Sequence, residues 1–322
     1  MMKSLGFGRS AIGSCIFAAL QTGCGVGSSP IGAPATIPQR AAHGTKTFNY
    51  TGAEQTFKVP RGVTQLTVVA IGASGPSGGS SYCYYTGGNG GVIKATIPVI
   101  SGETLSVYVG GEGIGAGPNC SPGGTGGFNG GGNGGGGISG GANGTGAGGA
   151  SDVREGGDTL ADRVLVSGGG GGGGQTTGFY GAGAGGAGGG RIGGNGGTEY
   201  KCSPAGFGGK GGRHDVGGKG GRGGQRGCSY FQRGAHGYRG ALAVGGEGGS
   251  YARNGYSGGG GGGGGGGYYG GGGGGAGSWS TSGIGGGGGG GGGSSYAEPS
   301  ATHVKDQRGA AHPGNGQVVI AW

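Results

Sequence analysis

Unbroken glycine runs at 168–174, 258–267 and 285–293 leave long stretches of this chain with no side chain at all. Nothing in such a run can be buried to drive folding. What remains is one N–H and one C=O per residue, and each must be paired wherever it leaves water. Ordering a glycine costs about 1–2 kcal/mol of backbone freedom, more than for any other residue. A net hydrogen bond returns about 0.5–1.5 kcal/mol. An ordered run therefore needs nearly every peptide group bonded to a neighbour. Threefold extended helices meet that demand. They rise about 3.1 Å per residue, so ten residues span about 31 Å, and without Cβ atoms they approach closely enough for sideways N–H···O and Cα–H···O bonds. Flexible coil is the competing expectation for an isolated run.

The surrounding sequence favours order. Of 322 residues, 112 are Gly and 11 are Pro; hydrophobic residues make up 31% and charged residues 10%. That is too little apolar material for a large enzyme core and too little charge for a swollen disordered chain. Collagen is excluded, because Gly comes in runs rather than at every third position and Pro is scarce. β-rich runs at 46–50, 55–59, 65–71, 91–97 and 104–109 are separated by short turns and read as strands. Alternation in Leu105-Ser106-Val107-Tyr108-Val109 predicts one buried face. Two apolar runs, 162–167 and 241–244, interrupt the glycine region. The chain then ends in Val318-Val319-Ile320-Ala321-Trp322, a closing partner for the first strands. The expected fold is mainly β with polyglycine II helices. Strands in 46–110 and 314–322 frame a glycine-rich insertion at 111–313, with no substantial α-helix outside the leader.

That leader is residues 1–23. Lys3 and Arg9 precede the apolar stretch 11–20, followed by Gln21-Thr22-Gly23-Cys24. This resembles a secretory signal peptide; its ten-residue apolar core is well short of the roughly 20 residues that span a bilayer. The ending also resembles a bacterial lipoprotein box with Cys24 as lipid anchor. Leu20 sits one place too far upstream and Gln21 stands where Leu is favoured, so an ordinary signal peptide cut nearby is the alternative. Residues 24–45 read as a flexible linker. In a secreted chain Cys83, Cys120, Cys202 and Cys228 are disulfide candidates with three possible connectivities, and proximity in sequence favours Cys83 with Cys120 and Cys202 with Cys228. Each closed loop would contribute about 3 kcal/mol. No CxxC or HxxxH spacing points to zinc.

Lys plus Arg exceed Asp plus Glu by 21 − 12 = 9, and nine basic residues lie between Arg191 and Arg239. Such a face attracts nucleic acid, anionic lipid head groups or acidic polysaccharide alike. Gly209-Lys210-Gly211-Gly212-Arg213 and Gly221-Arg222-Gly223-Gly224 are the segments a nucleic-acid binder would use. Phosphate-loop and glycine-rich calcium signatures lack their required Gly-Lys-Ser/Thr and recurring Asp. The five histidines read as solvated loop residues. Ser151, Asp152, Arg154, Asp162 and Arg163 flank apolar residues beside glycine tracts and read as caps or mutual pairs. Tyr82, Tyr84, Tyr85, Tyr268, Tyr269 and Trp279 read as a roof over the edge of the glycine lattice, or as anchors at a binding face. No catalytic grouping, cofactor or metal is expected.

Several phrases taken together resemble a known family. These are the run Thr47 to Ile71 with Gly52-Ala53-Glu54-Gln55-Thr56-Phe57, Gly102-Glu103-Thr104-Leu105, Phe128-Asn129-Gly130-Gly131-Gly132 and Gly149-Ala150-Ser151-Asp152-Val153-Arg154. Leu160 to Gly168, the Gly258 to Gly275 tract around Tyr268-Tyr269, and Gly316-Gln317-Val318-Val319-Ile320 complete the set. Over 46–322 the chain resembles bacterial secreted glycine-rich domain proteins, which are similar to the glycine-rich ectodomain of anaplastic lymphoma kinase and leukocyte tyrosine kinase receptors. The resemblance implies a tumour necrosis factor-like β-sandwich carrying an inserted bundle of polyglycine helices. The basic stretch 191–239 departs from the plainer family pattern. The expected function is a secreted or surface-anchored, non-enzymatic structural or recognition module serving in adhesion or envelope-associated binding. Its ligand would be a protein or polysaccharide, and membrane contact would come only through lipid on Cys24. A nucleic-acid-binding protein using 191–239 is the alternative.

Overall fold

A computed structural model describes residues 43–79, 84–117, 123–137, 142–175, 181–198, 205–224, 233–250, 258–280 and 283–322. The expected signal peptide, nearly all of the linker, the candidate lipid site Cys24 and the disulfide candidates Cys83, Cys120, Cys202 and Cys228 lie outside the described residues.

Strands form where β-branched and aromatic residues alternate with polar ones. β1 (Thr45–Asn49), β2 (Gln55–Lys58), β3 (Gln65–Ile71), β4 (Val92–Pro98) and β5 (Thr104–Tyr108) occupy the N-terminal runs. β6 (Ser151–Arg154), β7 (Arg163–Ser167), β10 (Tyr296–Ala297), β11 (Thr302–Gln307) and β12 (Gln317–Ala321) complete two antiparallel sheets, ordered β1-β12-β3-β4-β11 and β10-β7-β6-β5-β2. β8 (Trp279–Ser280) and β9 (Gly283–Ile284) pair as a small ribbon. The chain is mainly β; the one helical element among the described residues is a 3-10 turn, Leu160–Asp162, capped by Thr159. Residues 111–313 supply strands to both sheets, so the glycine region is interrupted by framing elements rather than hung between the two ends. The apolar run at 241–244 forms no strand: Ala243 takes a positive φ of 67°, and Leu242 makes an isolated bridge to Tyr269.

Both sheets fill one core. Leu66, Val68, Ile93, Ile97 and Ile320 come from the first, and Leu105, Val107, Val153 and Leu165 from the second. Phe48 of β1 meets Phe57 of β2 edge to face across the core, with ring centroids 6.3 Å apart.

At the ends of these strands the pairing changes period instead of stopping. β3 and β4 pair up to Ile71 opposite Val92. The same register continues as Gly72 N–H to Gly91 O at 3.0 Å and Gly75 N–H to Gly88 O at 2.9 Å. The β5–β6 register (Val107 opposite Val153) runs on as Gly149 to Gly111 at 2.9 Å and Gly146 to Ile114 at 3.0 Å. The β6–β7 register (Asp152 opposite Val166) runs on as Gly148 to Gly170 at 2.9 Å and Thr145 to Gly173 at 3.0 Å. Contacts that alternated every second residue now recur every third.

The sheets also close on each other. Side chains hold packed sheets about 10 Å apart. Where glycine replaces them, extensions from opposite sheets bond directly: Gly91 donates to Gly168 O and Gly88 to Gly171 O, both at 2.8 Å. Run 258–267 shows the result at full depth. Gly259, Gly262 and Gly265 donate to Gly285, Gly288 and Gly291, while Gly260, Gly263 and Gly266 donate to Ala142, Thr145 and Gly148. Gly261 and Gly264 donate to Gly249 and Gly246. Its carbonyls accept from the segments around Gly172, Gly132 and Gly274. A Cβ on Gly260, Gly261 or Gly262 would stand closer than 3.0 Å to the carbonyl oxygens of Gly135, Gly274 and Gly172 respectively, so close approach on every side requires glycine here.

Candidate functional site

Side chains return at the rim of the hydrogen-bonded glycine segments, and they return at every third residue. In the rows Phe207, Lys210, Arg213 and Val216, Lys219, Arg222 they point outward or partly outward. The two residues between successive row members, mostly glycine, face neighbouring backbone. The rows run antiparallel around a tip at His214 and Asp215. Arg213 N–H bonds Val216 O at 2.9 Å, Lys210 bonds Lys219 at 2.8 Å and Phe207 bonds Arg222 at 2.8 Å. Lys210 and Lys219 therefore share a rung. A third row docks through Gly237 to Gly221 O and Gly240 to Gly218 O, both at 2.9 Å, and Arg239 Nε donates to Gly217 O at 3.3 Å. On the opposite flank Gly193 and Gly196 donate to Gly212 at 2.9 Å and Gly209 at 2.8 Å.

These rows enclose an open cavity of about 360 Å³ lined by Ile192, Asn195, Lys210, Arg213, Lys219 and Arg239. Its one acidic side chain is Asp215, which lies 3.4 Å from Arg213 Nε at the half-exposed tip. Arg191 reaches His214 Nε2 at 3.1 Å. Among the described residues no carboxylate pairs with Lys210, Lys219 or Arg222. The groove is thus cationic, solvated and braced by backbone.

Rim peptides that have lost a neighbouring chain are satisfied by side chains. Asn195 Oδ1 accepts from Gly211 at 3.2 Å, Thr198 Oγ1 from Gly208 at 2.8 Å, and Asn133 Oδ1 from Gly126 at 2.9 Å. His236, exposed as expected of a loop residue, also caps the edge: its Nδ1 accepts from Gly223 at 3.2 Å. For Asn133, Asn195 and Thr198 the available signal was a polar residue following a Gly-Gly pair.

Comparison with known proteins finds no matching family model and no matching curated protein.

The polar residues beside β6 and β7 form a separate, buried network. Arg154 Nε lies 2.7 Å from Asp152 Oδ1, Nη1 donates to Asp158 O, Nη2 lies 3.5 Å from Asp152 Oδ2, and the guanidinium sits 3.7 Å from the centre of the Tyr108 ring. Asn129, at a positive φ of 66°, donates to Asp152 Oδ2 and Ala150 O, each at 2.7 Å. Arg163 donates to the carbonyls of Leu160, Gly267 and Tyr268, closing the end of run 258–267. Burial pulls Arg163 below its ordinary pKa, partly opposed by Asp152. Ser151 accepts from Gly110 and donates to Ile71 O at 2.6 Å, tying the two sheets together. Hydrogen bonds from Thr159 hold the Asp162 carboxyl below its usual range. All these groups are spent on backbone or on each other.

The aromatic candidates divide. Tyr268 stacks on Tyr296 at 4.1 Å and meets Tyr269 edge-on at 5.5 Å, beside Arg163. Tyr84 is 65% exposed and Tyr85 pairs with Gly78. Tyr82 lies outside the described residues.

Proposed function

We propose that this chain is a secreted or surface-anchored, non-enzymatic recognition module. A β-sandwich like that of tumour necrosis factor carries an inserted polyglycine II bundle, and the rim of that bundle presents side chains to a protein or polysaccharide ligand. The observation carrying this reading is the three-residue period shared by the hydrogen bonds inside the bundle and the side chains on its rim. Such a period makes the bundle a rigid platform whose interior has nothing to offer a ligand and whose edge offers a regular array. The leader at 1–23, the candidate anchor Cys24 and the disulfide candidates Cys83, Cys120, Cys202 and Cys228 supply the extracellular setting. The phrase-by-phrase resemblance over 46–322 to bacterial secreted glycine-rich domains supports the same architecture.

Intact-mass spectrometry of the chain recovered from the expressing cell tests this. The expected species lacks the leader, carries two disulfides and, if anchored, carries lipid on Cys24. A soluble cytosolic species that retains residues 1–23 with free thiols overturns the proposal.

A further inference from the structure

We propose that the cationic rim binds a linear acidic polysaccharide with a carboxylate on alternate sugars. This rests on the reading above, in which rim segments are threefold extended helices outside the cell. In that geometry residues i and i+3 repeat at about 9 Å, three steps of about 3.1 Å. Lys210 with Arg213, and Lys219 with Arg222, then present cations at that repeat on two adjacent rails. The rails are in register, because Lys210 N–H bonds Lys219 O at 2.8 Å. Arg239 adds a third rail, with its Nε held on Gly217 O at 3.3 Å.

The ladder is short of counter-charge. Lys210 and Lys219 share a rung with no carboxylate pairing either among the described residues, and the single acid of the groove, Asp215, is engaged at the tip by Arg213. An anion lying along the groove supplies the missing counter-charge. In a polymer of alternating acidic and neutral sugars the carboxylate repeats over two rings, a length of the same order as one ladder step. Each rung then meets one charge. A strand of duplex nucleic acid carries a phosphate about every 3.4 Å of helix axis, a charge density about three times that of the ladder. Single-strand binding also calls for aromatic platforms under the bases; among the described residues the groove lining contains none, and Phe207, on the rung of Arg222, is half-buried.

The test is titration of the full chain with size-defined hyaluronate, which carries one carboxylate per two sugars, at low and at physiological salt. Binding is expected at low salt and to weaken as salt rises. Lys210→Gln combined with Lys219→Gln is expected to weaken it at least ten-fold, with no change in melting temperature. Lys219→Arg should retain binding, as should Lys305→Gln on β11. Absence of hyaluronate binding while amides of 258–293 stay protected from deuterium exchange overturns this inference and leaves the module reading standing. Loss of that protection overturns both. Tighter binding to poly(U) than to hyaluronate at equal charge overturns it in favour of nucleic acid, and an equal loss in Lys305→Gln reduces it to general charge attraction.

Discussion

A methyl group on Gly262 would collide with Gly172 O, whereas Lys219 two rows away carries a full, exposed side chain. The difference lies in which of three phases a residue occupies. Interior positions are overpacked by a single carbon, so Gly262→Ala should cost about 1–3 kcal/mol or more, while Lys219→Ala should stay within about 0.5 kcal/mol. Denaturant unfolding of the two variants checks the contrast; equal effects would mean the interior has slack. Polar residues follow the same logic with larger stakes. Asp152 and Arg154 are buried, with side chains only 1% and 7% exposed. Arg154→Ala leaves a carboxylate in the interior with its guanidinium gone and should cost about 3–5 kcal/mol. Adding Asp152→Asn should recover part of that loss in the same unfolding assay.

Elements inherit these constraints through register. β3, β4, β5, β6 and β7 each pass into a glycine segment without a break in pairing, so the strand sets which glycine meets which. The turns at the other end of the sheets hold a different device. Glu155, just after β6, is raised from an ordinary 4.5 to about 7 by burial first, then by the carboxyls of Glu103 and Glu298. The folded state therefore keeps a proton that the unfolded chain releases. The sign follows: this group's contribution is full below about pH 4.5 and is lost as pH rises through about 7. Glu155→Gln should flatten the dependence of melting temperature on pH across that window. An unchanged slope would assign it to another group. β11 shows what alternation misses. Thr302, His303, Val304 and Lys305 are all exposed on an edge strand, so no apolar period marks it. β6 is missed for the opposite reason: Ser151, Asp152, Val153 and Arg154 are buried without exception, and their polar groups are spent on backbone or on each other.

For the molecule as a whole, the shared register predicts that the core and the glycine segments unfold as one cooperative unit. Leu105→Ala should cost about 2–5 kcal/mol, and amide protection across 258–267 should fall by the same amount in native-state exchange. Protection that survives while the core opens would mean the bundle holds itself. Much of this was legible beforehand. A run without side chains can be ordered only by its peptide groups, and alternating runs such as Gln65–Ile71 and Gln317–Ala321 can bury only one face of a sheet. The Gly-Gly-X spacing of 207–222, which leaves one outward phase for Lys210, Lys219 and Arg222, stands in the sequence but by itself reads only as a basic face. The choice of neighbours was not legible, because one glycine is chemically the same as the next and no run carries a mark of its partners. Tertiary structure made that choice: strands of fixed register feed each run into place, and only then do Lys210, Lys219 and Arg239, separated in sequence, line one groove.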